Sequence, residues 1–190
     1  MWEGFTMIRA IVGTVAVLAG FAVLERSVDA STGHAGSCTP TSAYALLPRG
    51  EAVPVRAEPT PQAVTIGSLQ GRSTLRPDLS RAMVTMTGSQ GGWARIALNT
   101  QSDYVADGAA ATQPYGWVPA DLLTVNARVD GDIGVYNQPG LLGRQLATIE
   151  GDDMKFRVLG CRGEWLHVIN ARHGSVWIDK WCGREDGCRS

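Results

Sequence analysis

The sequence predicts an all-β protein made of two tandem copies of one small strand-rich unit. Two observations lead there. Apolar and polar residues alternate at period two in short segments bounded by glycine, as in Trp165-Leu166-His167-Val168, where Leu166 and Val168 share one face and Trp165 and His167 the other. Three blocks also recur in the same order. Val53-Pro54-Val55-Arg56-Ala57-Glu58-Pro59 matches Ile133-Gly134-Val135-Tyr136-Asn137-Gln138-Pro139, Gly92-Trp93-Ala94-Arg95-Ile96 matches the segment from Gly163 to Val168, and Gly116-Trp117-Val118 matches Val176-Trp177-Ile178. An ordered set of matches of this kind is the mark of an internal repeat.

The elements follow in order. Residues 10–24 carry no charge and end at Glu25 and Arg26. This apolar run is shorter than the roughly 20 residues of a relaxed membrane span and fits the core of a signal peptide. Residues 1–30 are therefore a signal peptide, cleaved after Ala30 or Ala35, or an uncleaved anchor helix that uses residues 7–24. Residues 31–49, rich in Ser, Thr, Gly, Ala and Pro, read as a linker. Residues 50–126 form the first domain. Its strands fall at residues 52–56, 82–87, 93–98 and 115–119, with a further pairing segment at 63–69 and a helical turn and closing strand over 121–125. Pro54 argues for an edge position of the first of these strands. Residues 99–113 read as an extended hairpin tip. A brief joint leads to the second domain, residues 129–190, with strands at 154–160, 164–169 and 175–179 and a tail closed by cysteine.

Composition excludes some functions. The 17 basic and 18 acidic side chains nearly cancel, and only Lys155 and Lys180 are lysines. No basic stripe is present to neutralise phosphates, so a nucleic-acid partner is not expected. The four cysteines, Cys38, Cys161, Cys182 and Cys188, form an even set after the apolar segment. In an exported chain they read as two disulfides. Three pairings are open; we expect Cys161 to bridge to Cys182 or Cys188. The alternative, zinc held by these cysteines with His167 and His173, lacks a Cys-x2-Cys pair. The adjacent carboxylates Asp152-Asp153 and Glu185-Asp186 point apart in extended chain and read as turn charges. No catalytic constellation and no cofactor loop is found, and we expect neither an enzyme nor a cofactor. The residues left to carry function are aromatic: Trp93, Tyr115, Trp117, Tyr136, Trp165, Trp177 and Trp181. They supply either core packing or a groove that stacks on ligand faces. Trp165 and Trp181 are the strongest groove candidates, the first because it lies opposite the core positions, the second because it breaks the strand rhythm.

The repeats resemble bacterial SH3 domains. The residues that carry the resemblance are Val55-Arg56-x-x-Pro59, Gly67-x-Leu69, Gly92-Trp93-x-x-Ile96 and Gly116-Trp117-Val118 in the first copy. In the second they are Val135-Tyr136-x-x-Pro139, Leu146-x-x-Ile149, Gly163-x-Trp165-x-x-Val168 and Val176-Trp177-Ile178. The resemblance spans residues 50–182 and departs from the family where Val176 stands in place of Gly. It implies two small β-barrels outside the cytoplasm, periplasmic or tethered to the inner membrane. The implied partner is peptidoglycan or an envelope protein; an uncleaved N-terminal anchor gives the alternative, an accessory subunit of an inner-membrane protein complex. Recognition of polyproline is not implied, because the aromatic slots that such a groove requires are missing.

Overall fold

A computed structural model describes residues 36–74, 76–100, 103–108, 112–150 and 154–188. Fourteen strands run through them. The first nine are β1 (Gly36–Pro48), β2 (Ala52–Arg56), β3 (Thr65–Gln70), β4 (Arg72–Ser73), β5 (Leu79–Gln90), β6 (Trp93–Ala97), β7 (Tyr104–Ala106), β8 (Tyr115–Pro119) and β9 (Leu123–Asn126), with a short 3-10 turn at Ala120–Leu122 before β9. The other five are β10 (Ile133–Tyr136), β11 (Gln145–Ile149), β12 (Lys155–Arg162), β13 (Trp165–Asn170) and β14 (Gly174–Ile178). The protein is thus nearly all β and antiparallel, as the period-two patterning requires. The burial of β5 alternates along its length, and Leu166 and Val168 are fully buried while Trp165 and His167 are half-buried.

The internal repeat is written into the strand order. Hydrogen-bonded neighbours run β3-β2-β8-β6-β5 in the first copy and β11-β10-β14-β13-β12 in the second, with each strand matched by its repeat partner. The irregularities match too. The β2–β3 ladder shifts between Val55 and Arg56, and the β10–β11 ladder shifts between the equivalent Val135 and Tyr136. β5 bulges between Met86 and Gly88, and β12 between Val158 and Gly160. A bulge bends a strand and increases its twist, so equal bulges give both copies the same curvature. The β5–β6 turn is Gly91-Gly92 with both φ positive, the requirement of a type I′ hairpin.

Four expectations are corrected here. Two separate closed barrels were expected; the strands instead form one continuous sheet that does not close, running from β11 at one end to β7 at the other. The reason lies in the stretch read as a linker. Thirteen of its residues are β1, which pairs along β5 and, at Tyr44 and Ala45, with β9. β9 pairs on its other side with β12. These two strands therefore join the copies edge to edge, and buried side chains from both copies form one connected cluster. Sequence composition missed β1 because its outer half is polar, although Ala43, Tyr44, Ala45 and Leu47 are buried. β2 is not an edge strand: it pairs with β3 throughout and with β8 at Arg56 alone, so Pro54 stays outside the second ladder and its missing N–H costs nothing there. The segment read as a hairpin tip contributes β7, which pairs with β3 and forms the other sheet end.

The cysteine pairing also differs from expectation. Cys161 bridges to Cys38, and Cys182 bridges to Cys188. The first bridge ties β1 to β12 across the joint between the copies. Beside it, the two bulges meet. Ser89 Oγ accepts from the Cys161 N–H at 2.9 Å and donates to the Cys161 carbonyl at 3.2 Å. Small residues fit there, and at Gly88 the obstacle to a side chain is backbone. A Cβ on Gly160 would lie 2.9 Å from Ser89 Oγ, and one on Gly88 2.8 Å from the Gly36 carbonyl oxygen. The expectations of a signal peptide or anchor fall on residues 1–35, outside the described residues. Among the described residues no helix is long and apolar enough to cross a membrane.

Candidate functional site

The aromatic residues of the second copy converge and those of the first do not. Tyr136 and His167 both sit opposite Trp177 in the ladders of β10–β14 and β13–β14, so the three form one cross-strand row. His167 stacks on Trp177 with ring centroids 4.6 Å apart and planes 11° from parallel. Its Nε2 lies 2.9 Å from Ser175 Oγ, and burial lowers its pKa below the ordinary imidazole value. Trp165 meets Tyr136 edge to face, centroids 4.8 Å apart. Asp179 fixes the row from one end. It accepts the Tyr136 hydroxyl at 3.2 Å and the Gly134 N–H at 2.8 Å. Side chains locked by several partners present a surface without a large ordering cost on binding.

Trp165 is the wall shared by two neighbouring hollows. One is lined by Pro139, Gly140, Leu141 and Leu142, with Gln138 and Arg162 at its rim. The other, about 110 Å3, is lined by Pro40, Thr41, Glu164, Trp181 and the Cys38–Cys161 bridge. Trp181 is oriented by its indole N–H, which donates to Thr41 Oγ1 at 2.9 Å. β1 and the β12–β13 turn are locked together by Thr39 N–H to the Gly163 carbonyl and Gly163 N–H to the Ser37 carbonyl, each 2.9 Å. Sequence reading named Trp165 and Trp181 but missed Leu141, Leu142, Glu164 and the β1 residues. Leu141 and Leu142 are 106% and 87% exposed at a turn between Gly140 and Gly143, an apolar pair where turn chemistry calls for polar residues. That was the available signal.

In the first copy the equivalent row is Arg56, Trp117 and Arg95. Two arginines replace Tyr136 and His167. Arg95 lies over Tyr115 at 4.9 Å and also donates to Thr87. Trp93 pairs across the ladders with Gln90 and Pro119. Trp93, Tyr115 and Trp117 therefore stand apart from the Trp165 hollows. All four cysteine sulfurs are held in disulfides, which leaves none as a thiolate for a metal or as a nucleophile. Two disulfides are the chemistry of an oxidising, extracytoplasmic compartment.

No family model matches the chain, and no curated protein matches it. Among solved structures, the chain is similar to NlpC2 from Trichomonas vaginalis at 15% identity and a TM-score of 0.27, over 75% of this chain. It spans 48% of that protein's length. A likeness at that level carries no assignment of fold or activity.

Proposed function

We propose that the protein is a non-enzymatic binding protein of the cell envelope. Each five-strand set is an SH3-like unit, and the two units act together to hold peptidoglycan or a peptide segment through the second copy. The observation that carries this reading is the position of Trp165. It is a half-buried indole locked against Tyr136 and flanked on both sides by open hollows. Such rings contribute large contact area at small entropic cost and are favoured anchors of recognition sites. The repeated strand order and matching bulges support common ancestry of the two units, and the two disulfides fit a periplasmic location. The test is retention on purified sacculi under non-reducing conditions. Wild type is expected to be retained above a non-binding control, and Trp165→Ala to lose most of that retention. Wild-type retention no greater than the control removes the wall-binding form of the proposal.

The exposed Leu141-Leu142 pair favours a second reading, in which the same face docks on a protein partner as an accessory subunit of an inner-membrane complex. Detergent co-purification decides it. A partner that co-purifies with wild type and is lost from Leu141→Ser/Leu142→Ser supports this reading, and the absence of any co-purifying partner overturns it.

A further inference from the structure

We propose that the hollow between Trp165 and Trp181 is a binding site for an alkylammonium group, such as the lysine side chain of a peptide or a small quaternary ammonium ion. The proposal deepens the reading of Trp165 as a recognition surface by naming the chemistry of its ligand. Three observations carry it. Two tryptophans line one hollow of about 110 Å3, the size of a single small cationic head. Glu164 lines the same hollow, and it makes no hydrogen bond or ion pair with another described residue. The neighbouring cation, Arg162, lines the adjoining hollows and not this one.

Indole faces carry negative electrostatic potential, and a cation beside them is stabilised more as water is excluded. A carboxylate that reaches the bound group adds a charge-assisted hydrogen bond to an ammonium N–H, or a simple Coulomb attraction where no N–H is present. A neutral apolar group of equal size gains only contact area. Such a site selects by charge as well as by shape. The walls are also preset. Trp181 is held by Thr41, Trp165 by Tyr136, and the β1 side by the Cys38–Cys161 bridge, so little ordering cost is left for the moment of binding.

The experiment is a titration of the full, oxidised protein followed by the indole N–H signals of an NMR spectrum. The probes are tetramethylammonium chloride and N-acetyl-lysine methylamide. The controls are sodium chloride at matched ionic strength and N-acetyl-norleucine methylamide, which keeps the aliphatic stem and lacks the charge. Saturable shifts of the Trp165 and Trp181 signals are expected with the cations and not with the controls. Glu164→Gln, at an exposed turn position, is expected to weaken cation binding about threefold, the scale of a solvent-screened charge contact. Glu164→Asp should restore part of the loss. Tighter binding of the lysine probe would point to a protein or peptide source, and tighter binding of tetramethylammonium to a quaternary ammonium headgroup. Equal shifts with the norleucine probe, or cation binding unchanged in Glu164→Gln, overturn the proposal. Sacculus retention measured on the same samples separates the two readings. Cation binding without retention removes the wall-binding reading alone, and retention without cation binding removes this one alone.

Discussion

Tyr44 is the largest fully buried side chain among the described residues, and its hydroxyl has no hydrogen-bond partner there. Burial, reinforced by the Glu185 carboxylate and opposed by Arg81, pushes its pKa from 10.0 to about 12. The folded state therefore prefers the neutral phenol. That preference is complete below pH 10.0 and is lost as pH rises toward about 12, so stability should fall across that window. Tyr44→Phe removes the unpartnered oxygen and keeps the ring. It should raise stability by about 1 kcal/mol in denaturant unfolding and flatten the alkaline loss. A less stable Phe variant would mean that the hydroxyl has a partner. Gly116 poses the opposite problem. A Cβ there would run into Val55 Cγ1, with Ile66 and Leu98 close behind. Gly116→Ala should cost about 1–3 kcal/mol through overpacking. A cost near zero would show that the β2–β8 contact yields. The second copy carries Val176 at this position, itself buried, so the glycine of the first copy is tied to its local neighbour and not to the repeated unit as such.

Among the elements, β1 and β9 decide how the copies are joined. β9 is paired on both sides, with Thr124 opposite Tyr44 in β1 and opposite Arg157 in β12. Thr124→Pro removes a backbone donor from this doubly paired strand. Hydrogen exchange should show faster exchange in β1, β9 and β12, with the β13–β14 hairpin less affected; uniform protection would refute the role of β9 as the joint. The disulfides should differ in worth. Cys38 and Cys161 are 123 residues apart, while Cys182 and Cys188 are 6 apart. Closing the longer loop removes more freedom from the unfolded chain, so losing the first bridge should cost about 5 kcal/mol and losing the second about 2 kcal/mol. Thermal unfolding of the two double Cys→Ala variants measures the order, and equal losses would contradict it. The Cys38–Cys161 variant should also lose ligand retention, because its bridge lines the hollow beside Trp165.

At the scale of the whole molecule, the connected core predicts cooperative behaviour. Buried side chains of both copies touch within one cluster, so a single unfolding transition is expected, with Trp fluorescence and far-UV circular dichroism coincident. Two separated transitions would show that the copies fold as independent domains. Acid should weaken this structure through His167. Its folded pKa is held below the ordinary 6.5 by burial, so the neutral ring is favoured in the native state. That contribution is intact above pH 6.5 and declines as pH falls below it. His167→Gln should reduce the acid sensitivity of the midpoint, and an unchanged profile would assign that sensitivity to other groups.

Much of this was legible in local sequence. Period-two burial is set by neighbours along one strand, so the strands around Val55, Val84, Ile96, Val118, Val158, Leu166 and Val176 fell where alternation and flanking turn residues placed them. The repeat was legible for the same reason, since each motif carries its own ladder partners and bulge. Trp165 was legible as a residue opposite the core positions, and Trp181 as a break in the strand rhythm, although Trp181 also packs against the core. Which partners meet was decided only by tertiary structure. β1 is recognisable only beside β5 and β9, because half of it is polar and its apolar residues have no periodic partner nearby in sequence. The disulfide pairing, the fusion of two units into one open sheet, and the meeting of Pro40 and Thr41 with Trp165 and Trp181 all join residues far apart in the chain. Such contacts depend on distances through space, which composition and spacing do not encode.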